Sequence, residues 1–303
     1  MENVFTSENL TKVFSKKTAV SNINMSISKG DIYGFIGKNG AGKTTLMKML
    51  VGLISPTSGS IKLFNSTDLN VEREKIGSVI ETPSFMPNLS AKENLKVQWM
   101  LVGNKDKSII DETLKLVGLY DVGKKKAKKF SLGMKQRLGI AMALIGDPEF
   151  LVLDEPTNGL DPEGIIEIRT LIKKLNKERG ITVLISSHIL GELSKLATRY
   201  GIINDGKLIE EFTEQELRER CRANLTIKVD DVQKASSIIE NAIGTKNYKI
   251  LNENSIELYD VNINPGVINS ELTQNDIVVN SISYKEADLE EYFMKVIGGK
   301  KND

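Results

Sequence analysis

The sequence predicts an α/β protein in two parts, a phosphate-binding core built on a strand-rich sheet and a small α+β unit after it. Three stretches predict this. Residues 31–53 read as strand, glycine-rich loop and helix, and Gly37-Lys38-Asn39-Gly40-Ala41-Gly42-Lys43-Thr44 fits the spacing G-x-x-x-x-G-K-[ST] at every required position. Phe150-Leu151-Val152-Leu153-Asp154-Glu155 is an apolar strand that ends in two acids. Beyond residue 223 the pattern becomes strand, helix, two strands, helix, strand, the order of a ferredoxin-like unit. With 303 residues, 40% of them apolar, the chain can bury one substantial core and a smaller second one.

Composition narrows the setting. The 41 basic and 40 acidic residues leave a net charge of +1, which argues against binding nucleic acid through bulk electrostatics. No run of 18 apolar residues occurs, and Met-Glu-Asn-Val opens the chain without a basic or apolar leader. The single cysteine, Cys221, excludes an internal disulfide framework. The expectation is a cytoplasmic protein that reaches any membrane only through a partner.

In chain order, Val4 to Lys29 gives two β-like runs around Ser15-Lys16-Lys17-Thr18, a hairpin-like entry to the sheet. Phe14, just before this turn, suits either a core position or a ring on which a base stacks. Asp31–Ile36 is a short buried strand. In the loop after it, glycines 37, 40 and 42 let the backbone turn its N–H groups inward, and the helix from Thr44 to Leu53 adds its positive end. Lys43 is positioned to reach β- and γ-phosphates and Thr44 to offer a hydroxyl to Mg²⁺. Strands follow at 59–64 and 76–80, then the chain breaks at Pro83 and Pro87.

Residues 84–140 read as a helical insertion. Ser90 and Glu93 form a capping box for a helix to about Val102, and a second helix carries Ile109, Ile110, Leu114 and Val117. The lysines at 124–126, 128 and 129 read as a solvated loop. The carboxylates at the end of the 150–153 strand suit Mg²⁺-nucleotide chemistry, Asp154 at the metal and Glu155 accepting a proton from, or orienting, the attacking water. The strand 181–186 leads to His188, the chain's one histidine, which is either structural or, just past a strand end, part of the site. Thr213 to Glu216 forms a second capping box opening a helix to about Arg222, and a tail helix carries Leu289, Phe293, Val296 and Ile297.

Phe130-Ser131-Leu132-Gly133-Met134-Lys135-Gln136-Arg137, some twenty residues before Asp154-Glu155, resembles the L-S-G-G-Q signature of ABC ATPases. The resemblance runs from about Leu10 to Glu210. It implies that Gly159-Leu160-Asp161 is the D-loop, His188 the switch histidine, Glu155 the catalytic base and Phe14 the adenine-stacking ring. ATP would be bound by Phe14, by the loop residues Gly37, Lys38, Asn39, Gly40, Ala41, Gly42, Lys43, Thr44 and Thr45, by Glu81, and by Ser131 and Gly133 from the other copy of a head-to-tail dimer. Mg²⁺ would be held by Thr44, Asp154 and Glu81. It also implies an ABC ATPase fold with an antiparallel β and a helical subdomain. The parts are then residues 1–212 as nucleotide-binding domain, 213–222 as linker helix and 223–303 as accessory domain.

Two departures are informative. Glu81 stands where the family has its Q-loop glutamine, and Leu132 and Met134 replace Gly and Gln of the signature. With Asp288-Leu289-Glu290-Glu291-Tyr292-Phe293 near the C-terminus, they resemble the subgroup that exports, or confers immunity to, lantibiotic- and bacitracin-type peptides. Such a chain works with separately encoded transmembrane permease subunits on the inner face of the cell membrane, one of them inserting a helix near residues 81–88. Export of another drug or ion is a second reading. A soluble ABC ATPase acting on ribosomes or DNA is a third, disfavoured because the chain has one ATPase domain and no heptad run.

Overall fold

Twelve-residue strands at Asn3–Phe14 (β1) and Lys17–Ser28 (β2) pair antiparallel; β2 alternates buried and more exposed positions from Ile23 to Ser28, as a strand covered on one face must, while in β1 the alternation breaks at Val4-Phe5 and Glu8-Asn9, where the register shifts. The computed structural model describes residues 2–221, 224–259, 263–285, 292, 293 and 296. The chain forms two compact units, Met1–Glu214 and Gln215–Asp303.

In the first unit, Ile32–Ile36 (β3) is buried at all five positions and feeds Lys43–Leu50 (α1). Ser58–Leu63 (β4) then pairs with β1, so the hairpin belongs to a three-stranded antiparallel sheet, β2-β1-β4, of its own. The residue pattern alone places the hairpin at the entry to the sheet; the antiparallel β subdomain that the resemblance implies is what forms. Val4, Leu10, Ile23, Met25 and Ile27 bury their side chains in the core that also holds Leu46 and Leu50 of α1. A short helix Leu69–Glu72 (α2) leads to Ile76–Val79 (β5).

The helical insertion follows. Ala91–Val102 (α3) starts at the expected capping box, with Ser90 Oγ accepting from Glu93 N and Glu93 Oε2 from Ser90 N. Ser108–Leu116 (α4) and Leu132–Leu144 (α5) complete it, while Lys124, Lys125, Lys128 and Lys129 are exposed. The chain then returns through Phe150–Leu153 (β6), Pro162–Arg179 (α6), Thr182–Ser187 (β7), Leu190–Leu193 (α7), Arg199–Asn204 (β8) and Lys207–Thr213 (β9).

The six-stranded sheet runs β5-β6-β7-β3-β8-β9, parallel except for the last strand. Strands β3, β6 and β7 are buried on both faces, which is why they read as continuous apolar runs. Their register brings Val79 beside Leu153 and Ile36 beside Ser187, so the loops after β3, β5, β6 and β7 leave from one edge.

The helix Glu214–Arg220 (α8) begins at the last residue of the first unit and its remaining residues belong to the second. Asn224–Val229 (β10), Val232–Ile238 (α9), Tyr248–Asn252 (β11), Ser255–Leu258 (β12), Pro265–Gln274 (α10) and Val279–Lys285 (β13) follow, with sheet order β11-β12-β10-β13. Numbered within the unit this is 4-1-3-2 read from β13, the ferredoxin-like arrangement. Leu225, Ile227, Ile256, Leu258, Ile268 and Leu272 are its core. The expected helix to residue 243 ends its α turns at Ile238 and continues as a π turn over Ile239–Ile243, stopped by Gly244 at φ 78°. Phe293 is buried, whereas Leu289, Ile297 and residues 288–291 of the tail lie outside the described residues.

Candidate functional site

The edge where the parallel strands end collects the predicted residues of the core. Gly37 begins the loop and cannot carry a side chain, since a Cβ would lie 2.5 Å from the Ile203 carbonyl oxygen. Gly42, at φ 112°, is equally constrained, with the Ala19 carbonyl 2.5 Å from its would-be Cβ. That contact seats the start of β2 on the loop. Phe14, at the end of β1, is thereby held a few residues away, 47% exposed, with the Lys12 ammonium 5.1 Å from its ring centroid. Lys38 and Asn39 are exposed at the loop's crest, Gly40 takes φ 82°, and Ala41 N–H donates to the Lys38 carbonyl.

Lys43 is 5% exposed, and its ammonium donates to the carbonyls of Gly37 (2.6 Å) and Lys38 (3.3 Å). Glu155 Oε1 lies 3.0 Å from the same nitrogen; the angle is too bent for a hydrogen bond, so the contact is an ion pair. The other carboxylate oxygen of Glu155 accepts from His188 Nδ1 at 2.8 Å, a pairing that puts a proton on Nδ1. Thr44 Oγ1 donates to Asp154 Oδ2 at 2.7 Å, and Ser186 Oγ donates to Asp154 Oδ1 at 2.7 Å. Ser186 also accepts from Glu155 N–H at 2.8 Å, holding both acids on one hydroxyl. Thr45, the next residue of α1, is half-buried. Lys43, Thr44, Asp154, Glu155 and His188 therefore form one connected cluster, and Ser186 is a member that no motif announced.

A hydroxyl and a carboxylate, both hard oxygen donors, are the kind of pair that binds Mg²⁺ together with substrate phosphates. Thr44 and Asp154 fit it. Glu81 does not join them: it is exposed, sits at φ 61°, and pairs with Lys48 of α1 at 2.6 Å. Sequence gave no sign of Lys48, which is a plain charged position on a helix.

Ser131 and Gly133 belong to a different surface. Ser131 is the N-cap of α5, accepting from Met134 N–H at 3.2 Å. Leu132 is half exposed and packs on the D-loop, its Cδ2 being 3.2 Å from a would-be Cβ on Gly159, and Asp161 caps α6. These residues line a pocket of about 450 Å³ with Arg137 and Glu167. Within one chain, then, the signature meets the D-loop, and among the described residues no hydrogen bond or ion pair joins Ser131 or Gly133 to the 37–44 loop.

A larger groove of about 750 Å³ opens between the helical insertion and the core, lined by Leu53, Arg73, Thr82, Pro83, Leu101 and Met142 among others. Leu101 and Leu53 are 76% and 62% exposed at its lip. The Arg73 guanidinium donates to the carbonyls of Met49 and Leu50, the last turn of α1, and lies against Gly52. Among the described residues no helix is long and apolar enough to cross a membrane.

The profile of the ABC transporter family matches residues 20–158. Bacitracin transport ATP-binding protein BcrA of Bacillus licheniformis is 45% identical over 302 residues, covering 99% of both chains. Lantibiotic transport ATP-binding protein SrtF of Streptococcus pyogenes is 50% identical over 204 residues, 67% of this chain and 88% of that one. Among solved structures, the dimeric ATP-binding cassette MJ0796 in a post-hydrolysis state with ADP and Pi superposes with a TM-score of 0.63 at 28% identity, over 69% of this chain and 98% of that one.

Proposed function

The chain belongs to the ABC transporter family as an ATP-binding, ATP-hydrolysing subunit, and on that premise we propose that it powers an exporter protecting the cell against bacitracin- or lantibiotic-type peptides. One observation carries the catalytic half of this reading: Lys43, Thr44, Asp154, Glu155 and His188 meet at one sheet edge through contacts of 3.0 Å or less. The identities to peptide-antibiotic transport subunits support the cargo.

In this reading, γ-phosphate oxygens take the Lys43 ammonium from the Gly37 and Lys38 carbonyls, and the N–H groups of residues 39–44 surround the β-phosphate. Thr44 and Asp154 would hold Mg²⁺, which would supply charge neutralisation on the phosphates. Glu155 turns its carboxylate to the attacking water and accepts its proton, and His188 steadies the equatorial oxygens. Phe14 stacks on adenine. A second copy supplies Ser131 and Gly133, since a chain keeps its own signature against its own D-loop. The groove receives a helix of a permease subunit, and the assembly sits on the inner face of the membrane. Phosphoryl transfer of this kind depends on positioning, so the cluster has to be rigid.

Glu155→Gln tests the assignment, because the amide keeps the shape and cannot take the proton. Turnover should be lost, with ATP still bound and an ATP-dependent dimer accumulating on size exclusion. Hydrolysis near the wild-type rate would refute the role of Glu155. For the cargo, the transporter purified from its native membrane should show ATPase stimulated by bacitracin or a lantibiotic; stimulation by unrelated drugs alone would move the reading to another exporter.

A further inference from the structure

Glu155 is held in a backbone conformation that a side-chain-bearing residue avoids, φ 49°, and such a residue stays there only when its surroundings fix it from several sides. On its N-terminal side the fixing is plain. Its N–H is bound by Ser186, and its carboxylate by Lys43 and His188. On its C-terminal side the chain runs into the turn Pro156–Leu160, which is closed by two backbone bonds of its own, Asn158 N–H to the Glu155 carbonyl and Leu160 N–H to the Thr157 carbonyl. Those bonds shape the turn but do not tie it to anything. Among the described residues, the one side-chain hydrogen bond from residues 156–160 to another part of the chain is Thr157 Oγ1 donating to Glu192 Oε2 at 2.7 Å.

Glu192 lies in α7, four residues past His188, and both partners are half-buried. The segment after β6 and the segment after β7 are thus joined by three rungs: Ser186 to Asp154 and Glu155, His188 to Glu155, and Glu192 to Thr157. The third rung lies beyond the reacting groups, and the motif pattern does not include it. We propose that Glu192 is a positioning residue for Glu155: by holding Thr157 it fixes the turn that Glu155 leads into, so that the 154–161 and 186–192 segments move as one body during the catalytic cycle. Because the same turn reaches Gly159 and Leu160, which pack on Leu132 and Gly133, the rung also sets where this chain's signature stands relative to its own base.

The inference rests on the assignment of Glu155 made above, and its test separates the two. Using the full chain and Mg-ATP, Glu192→Ala is expected to lower kcat about ten- to a hundredfold, the size of effect that slight misplacement of a catalytic group produces, with KM and fluorescent-ATP affinity within about twofold. Glu192→Gln should recover most of the rate, because the amide oxygen still accepts from Thr157. Thr157→Val keeps the shape and removes only the hydroxyl, so it should match Glu192→Ala, and it carries the test if that variant fails to fold. The double variant should be no slower than either single one, as for two ends of one contact. If Glu192→Ala and Thr157→Val hydrolyse ATP normally while Glu155→Gln does not, the positioning role is wrong and the base assignment stands. Multiplying effects, or a glutamine variant as slow as the alanine one, would equally overturn it. If Glu155→Gln itself turns over ATP, the base assignment fails first.

Discussion

At the scale of single residues, the phosphate loop and the two acids were legible because their spacing is local, within one strand and the turn after it. Ser186, Lys48 and Glu192 were not, because each acquires its role from a register between segments 31 to 35 residues apart in sequence. Gly37 lies between these cases: its motif position was readable, but the reason for it, the Ile203 carbonyl, was not. Gly37→Ala is expected to abolish ATP binding, measured by equilibrium titration, since a backbone carbonyl cannot move aside as a flexible side chain would. Glu81 shows a residue whose partner changes its meaning. An exposed ion pair such as Lys48–Glu81 contributes roughly 0–1 kcal/mol, so Glu81→Gln should leave the melting temperature almost unchanged. It should also leave the basal ATPase of the isolated subunit near normal while weakening peptide tolerance of cells carrying the whole transporter. A parallel loss of both would make Glu81 a metal-site residue, and no change in either would remove it from the mechanism.

At the scale of elements, the signals that worked were caps and burial patterns. Ser90 and Glu93 announced α3, and the structure closes both halves of the box. Ser90→Ala should cost about 1 kcal/mol, seen as a lower thermal midpoint. The Ser90 backbone and hydroxyl, then Lys126, hold the Glu93 carboxyl down at about 2. A depressed carboxyl contributes stability that is present above its unfolded value near 4.5 and is lost as pH falls toward 2, so Glu93→Gln should flatten part of the acid-side decline in that window. Strands β8 and β9 and helix α6 carry no chemical motif, yet Asp205-Gly206 is a hairpin signal and Asp161-Pro162 with Gly180 brackets a helix. The β1–β2 hairpin illustrates the opposite limit, since the alternation of its second strand is clear but the residue pattern alone does not give its sheet, which the long-range pairing with β4 decides.

At the scale of the molecule, the β-α-β-β-α-β order of the second unit was readable because each of its strands is bounded by turn residues, and that order has one common antiparallel solution. We expect this unit to be dispensable for nucleotide binding: a chain ending at Glu214 should keep its ATP affinity within a few-fold, and an insoluble or non-binding product would show that the first unit depends on it. Within the first unit, α1 spans eight residues, about 12 Å, a length over which a helix does not bend appreciably. One end carries Lys43 and Thr44; the carbonyls at the other are gripped by Arg73 at the wall of the groove. In mechanical terms this is a push rod: one rigid helix, with no loop in between, joins the carbonyls that Arg73 holds at the groove to Lys43 and Thr44.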